Sequence, residues 1–488
     1  MTATLSGLIT EPGPAAAPRR RVRPRLEPGL GASVLVAALS SAFGVVLISA
    51  TGYLEAMLRA DPDMGRSDTV AFLLSFLGTV LLGLAIYVAA VVTANTFATV
   101  VAGRTRRIAQ LRLLGATARS QRAQVARQGL IVGAVGSVLG LLIGTAMAMG
   151  GVALAGSALD LDVDYLVPRP SLFGPAVIVA LTTWAAAWAG SRRVLTVTPL
   201  QALGAADEPA YEQVVRRPAR HATAGFLLVT GGALLVGGIG IGLLSPYGVV
   251  VAFVGGLLSF TGLVVGAAVL MPPLLRLVGR AFGGSTAARL AAENALRYPE
   301  RSSRMAIGIV IGVTLVTMLA VAAESVSARI AAAWRGPLPA EMQRPLDTFT
   351  AVMTALVAVS AAIAAVGLVN LLTLGVRQRR RELGLLRTLG LTTGQVRRMV
   401  LLEATHLTVT ALLTGLVLGI GYGWAGAQAL MGSVWLGPEL TGALVPPALP
   451  PGPIVIVVGA TAALTLIAAA VSVRPAVRVT PIDALAAG

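Results

Sequence analysis

Apolar residues in this chain arrive in long, nearly unbroken runs. Runs of this length read as membrane-spanning helices. Ten runs are long enough to cross a bilayer, whose hydrocarbon core needs about 20 helical residues. They lie near 30–53, 69–97, 128–157, 171–190, 223–244, 248–275, 305–325, 349–376, 399–430 and 452–473. Several are longer than one straight crossing needs, which predicts tilt, kinks or extension past the membrane. The pattern predicts an all-α, polytopic membrane protein with about ten transmembrane helices.

Residues 1–29 are polar and Pro-rich, with the run Arg19-Arg20-Arg21-Val22-Arg23-Pro24-Arg25. They read as a flexible cytoplasmic tail. A signal peptide is the competing reading, but Leu30 to Tyr53 is longer than the roughly 7–15-residue core of a signal.

Composition agrees with the pattern. Of 488 residues, 56% are apolar and 12% charged, with a mean hydropathy of +0.83. An ordinary soluble domain has about a quarter charged residues, and a disordered chain has low hydrophobicity. Net charge is +17, and all 38 basic residues are Arg. Without Lys the chain cannot hold a P-loop, whose Lys reaches the β- and γ-phosphates. If ATP is used, another chain hydrolyses it. There is no Cys, which excludes disulfides, thiolate zinc sites and cysteine nucleophiles. The two His, His221 and His406, are too few for an all-His metal site. No metal, cofactor or catalytic residue set is expected on this chain.

The arginines fix an orientation. With the N-terminus inside, 32 of the 38 fall in cytoplasmic segments and 6 in outer loops. The inverse topology would break the positive-inside rule. A pI near 11.5 suits nucleic-acid binding too, but arginine-rich cytoplasmic loops explain it and no nucleic-acid partner is expected. The outer loops are short, the largest near 54–68, 326–348 and 431–451. None reaches the roughly 50 residues of an independent domain.

The chain repeats itself. Leu111-Arg112-Leu113-Leu114-Gly115-Ala116-Thr117 recurs as Leu386-Arg387-Thr388-Leu389-Gly390-Leu391-Thr392, at an offset of 275. The same offset relates Asn95 to Asn370, Arg104 to Arg379 and Gln128 to Glu403. Thr198-Pro199-Leu200-Gln201-Ala202-Leu203 recurs as Thr480-Pro481-Ile482-Asp483-Ala484-Leu485 at an offset of 282. The expected layout is a tail (1–29), a four-span unit (30–203), a linker (204–222), two linking spans (223–276), a cytoplasmic segment (277–304) and a second four-span unit (305–488). An even number of spans separates the units, so the repeat is parallel.

Each unit carries an arginine-rich segment between its second and third spans. In the second copy, Leu383, Leu386 and Leu389 form one apolar stripe. Arg379, Arg380 and Arg387 cover other faces. Gly390 is placed to end that helix at C′. Thr392 with Gln395 fits a capping box that starts the next helix. The expected shape is a helix, a sharp break and a second helix rising into the ninth span. An amphipathic helix on anionic lipid is the alternative reading. Two similar elbows suit two similar partner subunits, which favours docking.

The stretch from Asn370 to Glu403 resembles the signature of FtsX-like permeases, the MacB-type (type VII) ABC transporter family. The matching places are Asn370, Arg379, Glu382, Gly384, Arg387, Gly390 and Glu403. The first copy keeps Arg104, Arg112 and Gly115, with Arg107, Ala109 and Gln128 where the second has Glu382, Gly384 and Glu403. The ten-span arrangement is similar to BceB-like permeases, which carry a large outer domain between spans seven and eight. Here only the short stretch 326–348 stands in that place.

The resemblance implies a cell-membrane permease subunit paired with a separate ABC ATPase, which binds the ATP and Mg. One chain with both units implies two ATPase copies. The docking elbows would be Arg104, Arg107, Leu111, Arg112 and Gly115 in one copy, and Arg379, Glu382, Leu383, Leu386, Arg387 and Gly390 in the other. Asn95, Asn370, Glu403 and His406 are candidates for coupling or helix packing. Glu403 and His406, at i and i+3 near the membrane edge, are expected to engage the arginine cluster. The substrate would be amphipathic: a lipid, peptide or drug, with membrane lipid and a lipoprotein or peptide as further partners. The alternative is a transmembrane signal transmitter that regulates a cell-surface enzyme, a role the short outer loops disfavour. Asp160, Asp162, Asp164 and Glu324 are weaker outer-face features, for which solvation is the simpler reading.

Overall fold

The computed structural model describes residues 30–60, 105–159, 169–191, 218–281, 286–297, 299–333, 390–434 and 444–478, with position 167 and seven helical positions between 79 and 94. The tail 1–29, most of the expected second span and all of the expected eighth lie outside the described residues.

Among the described residues every regular element is helical. In chain order these are α1 (Leu30–Ala60), α2 (Thr105–Leu113), α3 (Ala118–Leu159), α4 (Phe173–Gly190, after a 3-10 turn Pro170–Leu172), α5 (Pro218–Gly242), α6 (Gly248–Gly279), α7 (Thr286–Arg297), α8 (Pro299–Ala333), α9 (Thr393–Met431) and α10 (Pro451–Arg478). Seven contain stretches long and apolar enough to cross a bilayer: α1, α3, α4, α5, α6, α8 and α9. α10 adds a shorter apolar stretch, Pro451–Ile467. These fall on the expected spans, and the chain is a multi-pass helical membrane protein.

Packing is set by glycine. In lipid the hydrophobic effect does not drive helices together, so close backbone approach and dispersion must. Gly136, Gly140 and Gly144 of α3 lie against Ala37, Ser41 and Ala42 of α1. Gly415, Gly419 and Gly423 of α9 lie against Val313, Thr317 and Val321 of α8. Gly140 and Gly415 are 275 apart, as are Gly144 and Gly419. The register of both crossings therefore follows the sequence offset. Each crossing also carries a hydroxyl bond to backbone. Ser41 Oγ donates to the Ser137 carbonyl at 3.0 Å, and Thr314 Oγ1 to the Gly415 carbonyl at 3.3 Å.

α5 and α6 form an antiparallel hairpin of the same kind, with Gly231 against Ser259 and Gly238 against Ala252. The hairpin is not a detached connector. Phe260, Leu263, Ala267 and Met271 of α6 share one buried core with Ala306, Ile307, Val310 and Val313 of α8 and with Ala404 and Ala411 of α9. Gly242, where α5 ends, abuts Ala429 of α9.

Two boundaries differ from the sequence reading. α8 continues to Ala333, so Arg329, counted above as a loop arginine, is a helical residue only 4% exposed. Hydropathy drops at a charged residue, but the helix backbone need not end there. α3 and α9 begin several residues before their apolar runs, because the polar elbow already forms the first turns of the span.

Candidate functional site: the arginine-rich elbows

α2 ends in a Schellman arrangement. Ala116 N–H donates to the Leu111 carbonyl at 2.9 Å and Gly115 N–H to the Arg112 carbonyl at 3.1 Å. That geometry needs a left-handed residue, and Gly115 has φ +96°. Thr117 then opens α3, its Oγ1 accepting from the Ser120 N–H at 3.1 Å. The second elbow is described from Gly390 onward and shares the glycine and the restart. Gly390 has φ +97°. Thr392 is extended, with φ −69° and ψ 155°. Its Oγ1 accepts from Gln395 N–H at 3.3 Å, and Gln395 Oε1 accepts from Thr392 N–H at 2.9 Å. This is the reciprocal capping box the sequence predicts. From Thr393 the helix runs without a break to Met431.

The elbow tips are bare. A Cβ on Gly115 or Gly390 would meet nothing within 4 Å. Leu114, beside Gly115, is 84% exposed, an apolar side chain offered at the point of the turn. In an apolar sequence it is one more leucine. Its signal is position: it precedes the C′ glycine, as Leu389 does in the other copy. Leu111 and Arg112 are both half-buried on the same short helix, so its faces are partly used within the fold. Ala109, at the place of Gly384 in the repeat, is fully buried, which accounts for a small residue in the first copy.

The elbows are braced differently. At the first, the Arg122 guanidinium stacks on the Trp188 ring of α4, 4.0 Å from its centroid. Gly129 of α3 abuts Ala187 below it. At the second, Glu403 accepts a 2.9 Å hydrogen bond from Asn294 Nδ2 on α7. His406 Nε2 lies 2.8 Å from the Leu275 carbonyl of α6. As the carbonyl can only accept, Nε2 carries the proton. Both side chains are buried. These two contacts run to the connector between the units; the arginine cluster of the second copy, Arg377 to Arg387, lies outside the described residues. In the first unit Gln128 and Ile131 stand in these places, and Ile131 is 50% exposed.

Asn95, Arg104, Asn370, Arg379, Glu382, Leu383, Leu386 and Arg387 lie outside the described residues. Arg107 is on α2, with its side chain outside them. Among the described residues no group of three His, Asp or Glu gathers at metal-binding range. What each elbow offers is an exposed turn at a left-handed glycine and a capped restart continuous with a membrane-spanning helix.

At the opposite end an extended segment, Leu444–Pro450, is strapped across α8 and α9. Val445 N–H donates to Gln428 Oε1 at 2.6 Å, Trp424 Nε1–H to the Val445 carbonyl at 2.8 Å and Ala448 N–H to Ser325 Oγ at 3.1 Å. In sequence this segment reads as loop, and nothing in its pattern marks Val445 as buried.

Comparison with known proteins fits this geometry. Residues 79–199 and 354–481 each match the FtsX-like permease C-terminal family. Together they cover just over half of the chain, and the two matches start at the same offset that relates the elbows. An 89-residue stretch is 34% identical to YknZ of Bacillus subtilis (strain 168), described as an uncharacterized ABC transporter permease. That stretch covers 17% of this chain and 22% of the relative.

Proposed function

The chain belongs to the FtsX-like permease family, and on that premise we propose that it is the membrane subunit of an ABC transporter driven by a separate ATPase. One observation carries the reading. Two turns, each with a left-handed glycine followed by a capped restart, open onto α3 and α9 at an offset of 275.

Each elbow seats one ATPase copy, so one permease chain works with two. The layout is two four-span units in parallel repeat, ten spans in all, of the MacB type. The elbows and both termini face the cytoplasm of a cell membrane, consistent with the concentration of Arg on that side. Closure of the ATPases pushes the elbows. Because each elbow is continuous with its span, the push tilts α3 and α9 as levers.

The cargo is amphipathic: a lipid, a peptide or a drug taken from or released into the membrane. The short outer loops leave no room for a tunnel domain, which favours lateral handling. The test is to co-express the chain with candidate ABC ATPases of its own organism and reconstitute any complex in lipid. ATP hydrolysis stimulated by amphipathic peptides or lipids is the expected result. A complex whose turnover no amphipathic ligand changes argues against export. Failure of any ATPase to bind argues against the whole reading.

A further inference from the structure

α6 touches both units at the middle of its length, through three consecutive residues. Toward the second unit, Ser259 Oγ lies 2.8 Å from Tyr422 Oη of α9. Toward the first unit, Thr261 Oγ1 lies 2.8 Å from Tyr87 Oη. Phe260 sits between the tyrosines, edge-on to both, with ring centroids 6.3 Å from Tyr87 and 6.2 Å from Tyr422. In a hydrocarbon-depth bundle such hydroxyl pairs hold helices in register.

Among the described residues the two sides of this clasp are not equal. On the second-unit side α6 is fixed along its whole length. His406 holds the Leu275 carbonyl at one end, Tyr422 holds Ser259 in the middle, and Gly242 of the same hairpin abuts Ala429 at the other end. The buried core between runs through α6, α8 and α9. On the first-unit side, the described contacts are Tyr87 on Thr261, Phe260 and the Leu257 carbonyl, Gly83 facing Phe253, and Leu39, Phe43, Leu47 and Val91 in or against the shared core, the pairwise contacts on α6 lying between Phe253 and Thr261 rather than at its ends.

We propose that the α5–α6 hairpin moves as one body with the second unit, and that the mechanical boundary of the transporter passes between Tyr87 and α6. The Tyr87–Thr261 contact is then the point where motion of one unit is felt by the other. The linking spans belong to one arm, and the two arms are unequal in mass although their elbows match. This rests on the ATPase-driven reading above.

The test uses spin labels, which the absence of native Cys makes specific. One pair crosses the boundary: Gly150→Cys on α3, exposed and with nothing within 4 Å, and Leu244→Cys at the hairpin tip, 86% exposed. The other stays within the proposed body: Leu244→Cys and Gly421→Cys on α9, also open. Distances are read in lipid nanodiscs, with the co-purified ATPase, before and after trapping with ATP and vanadate. The 150–244 distance is expected to shift by more than the width of its resting distribution, while 244–421 stays within its own. Without nucleotide, Tyr87→Phe, which keeps the ring and removes the hydroxyl, is expected to broaden the 150–244 distribution alone. A shift in 244–421 with 150–244 unchanged puts the hairpin on the first unit and overturns the proposal. Equal behaviour of both pairs also overturns it, with the permease reading intact. If no ATPase co-purifies, the permease reading falls and takes this inference with it.

Discussion

Replacing Gly140 by alanine is expected to force α1 and α3 apart. A Cβ there would run into the Ala38 carbonyl oxygen, with Ser41 Cβ at 2.6 Å and Ala42 N at 2.9 Å. Two of those three atoms are backbone, so no rotamer change relieves the clash. Overpacking of this kind costs about 1–3 kcal/mol. The separation also weakens the bond from Ser41 to the Ser137 carbonyl, worth about 0.6 kcal/mol in a membrane. Against this, alanine gains roughly 1 kcal/mol of helix propensity over glycine. The net is a loss of about 0.6–2.6 kcal/mol, of the order of a few degrees in melting temperature. Thermal unfolding of the full chain in nanodiscs reads it. Gly150→Ala on the same helix, with nothing within 4 Å, is the control and is expected to be neutral or slightly stabilising. Equal melting of the two variants would refute the reasoning. So would a Gly140→Ala protein at or above the parent.

The remaining predictions concern the elbows. Gly115→Ala and Gly390→Ala place a Cβ at a left-handed φ, costing about 1–2 kcal/mol at each turn. Both are expected to lower ATPase recovery on an affinity column, with Asn tolerated better; full recovery for both Ala variants would contradict this. Thr392→Val removes the cap and about 1 kcal/mol of helix-start stability. Faster hydrogen exchange at the Gly394 to Val396 amides is expected, against no change if the box is incidental. Asn294→Asp sets a second carboxylate against Glu403. It is expected to destabilise by more than Asn294→Ala, which removes one hydrogen bond to a charged group, worth about 1.5–3 kcal/mol; the reverse order in melting temperature would remove Asn294 as a brace.

The elbow was legible because turns use few residues, each for a distinct reason. Gly390 was readable as C′ and Thr392 with Gln395 as a box because no other common pattern explains that spacing. Which faces of the spans pack was far less legible. α3 and α9 are apolar all round, so hydrophobic periodicity carries no direction. The glycines at 136, 140 and 144, and at 415, 419 and 423, were the available signal, since only small side chains let backbones meet. The partners of Glu403 and His406 were missed because α7 and Leu275 come from a distant segment. A backbone carbonyl as acceptor leaves no trace in residue type. Arg329 was misplaced because charge was taken to end a span, whereas α8 carries it buried.

The central claim is that the two elbows seat two ATPases. The most direct measurement is the native mass of the affinity-purified complex, with Arg112→Glu, Arg387→Glu and the double variant beside the parent. The account predicts two ATPases on the parent chain, one on each single variant and none on the double. A double variant that keeps both ATPases would contradict it.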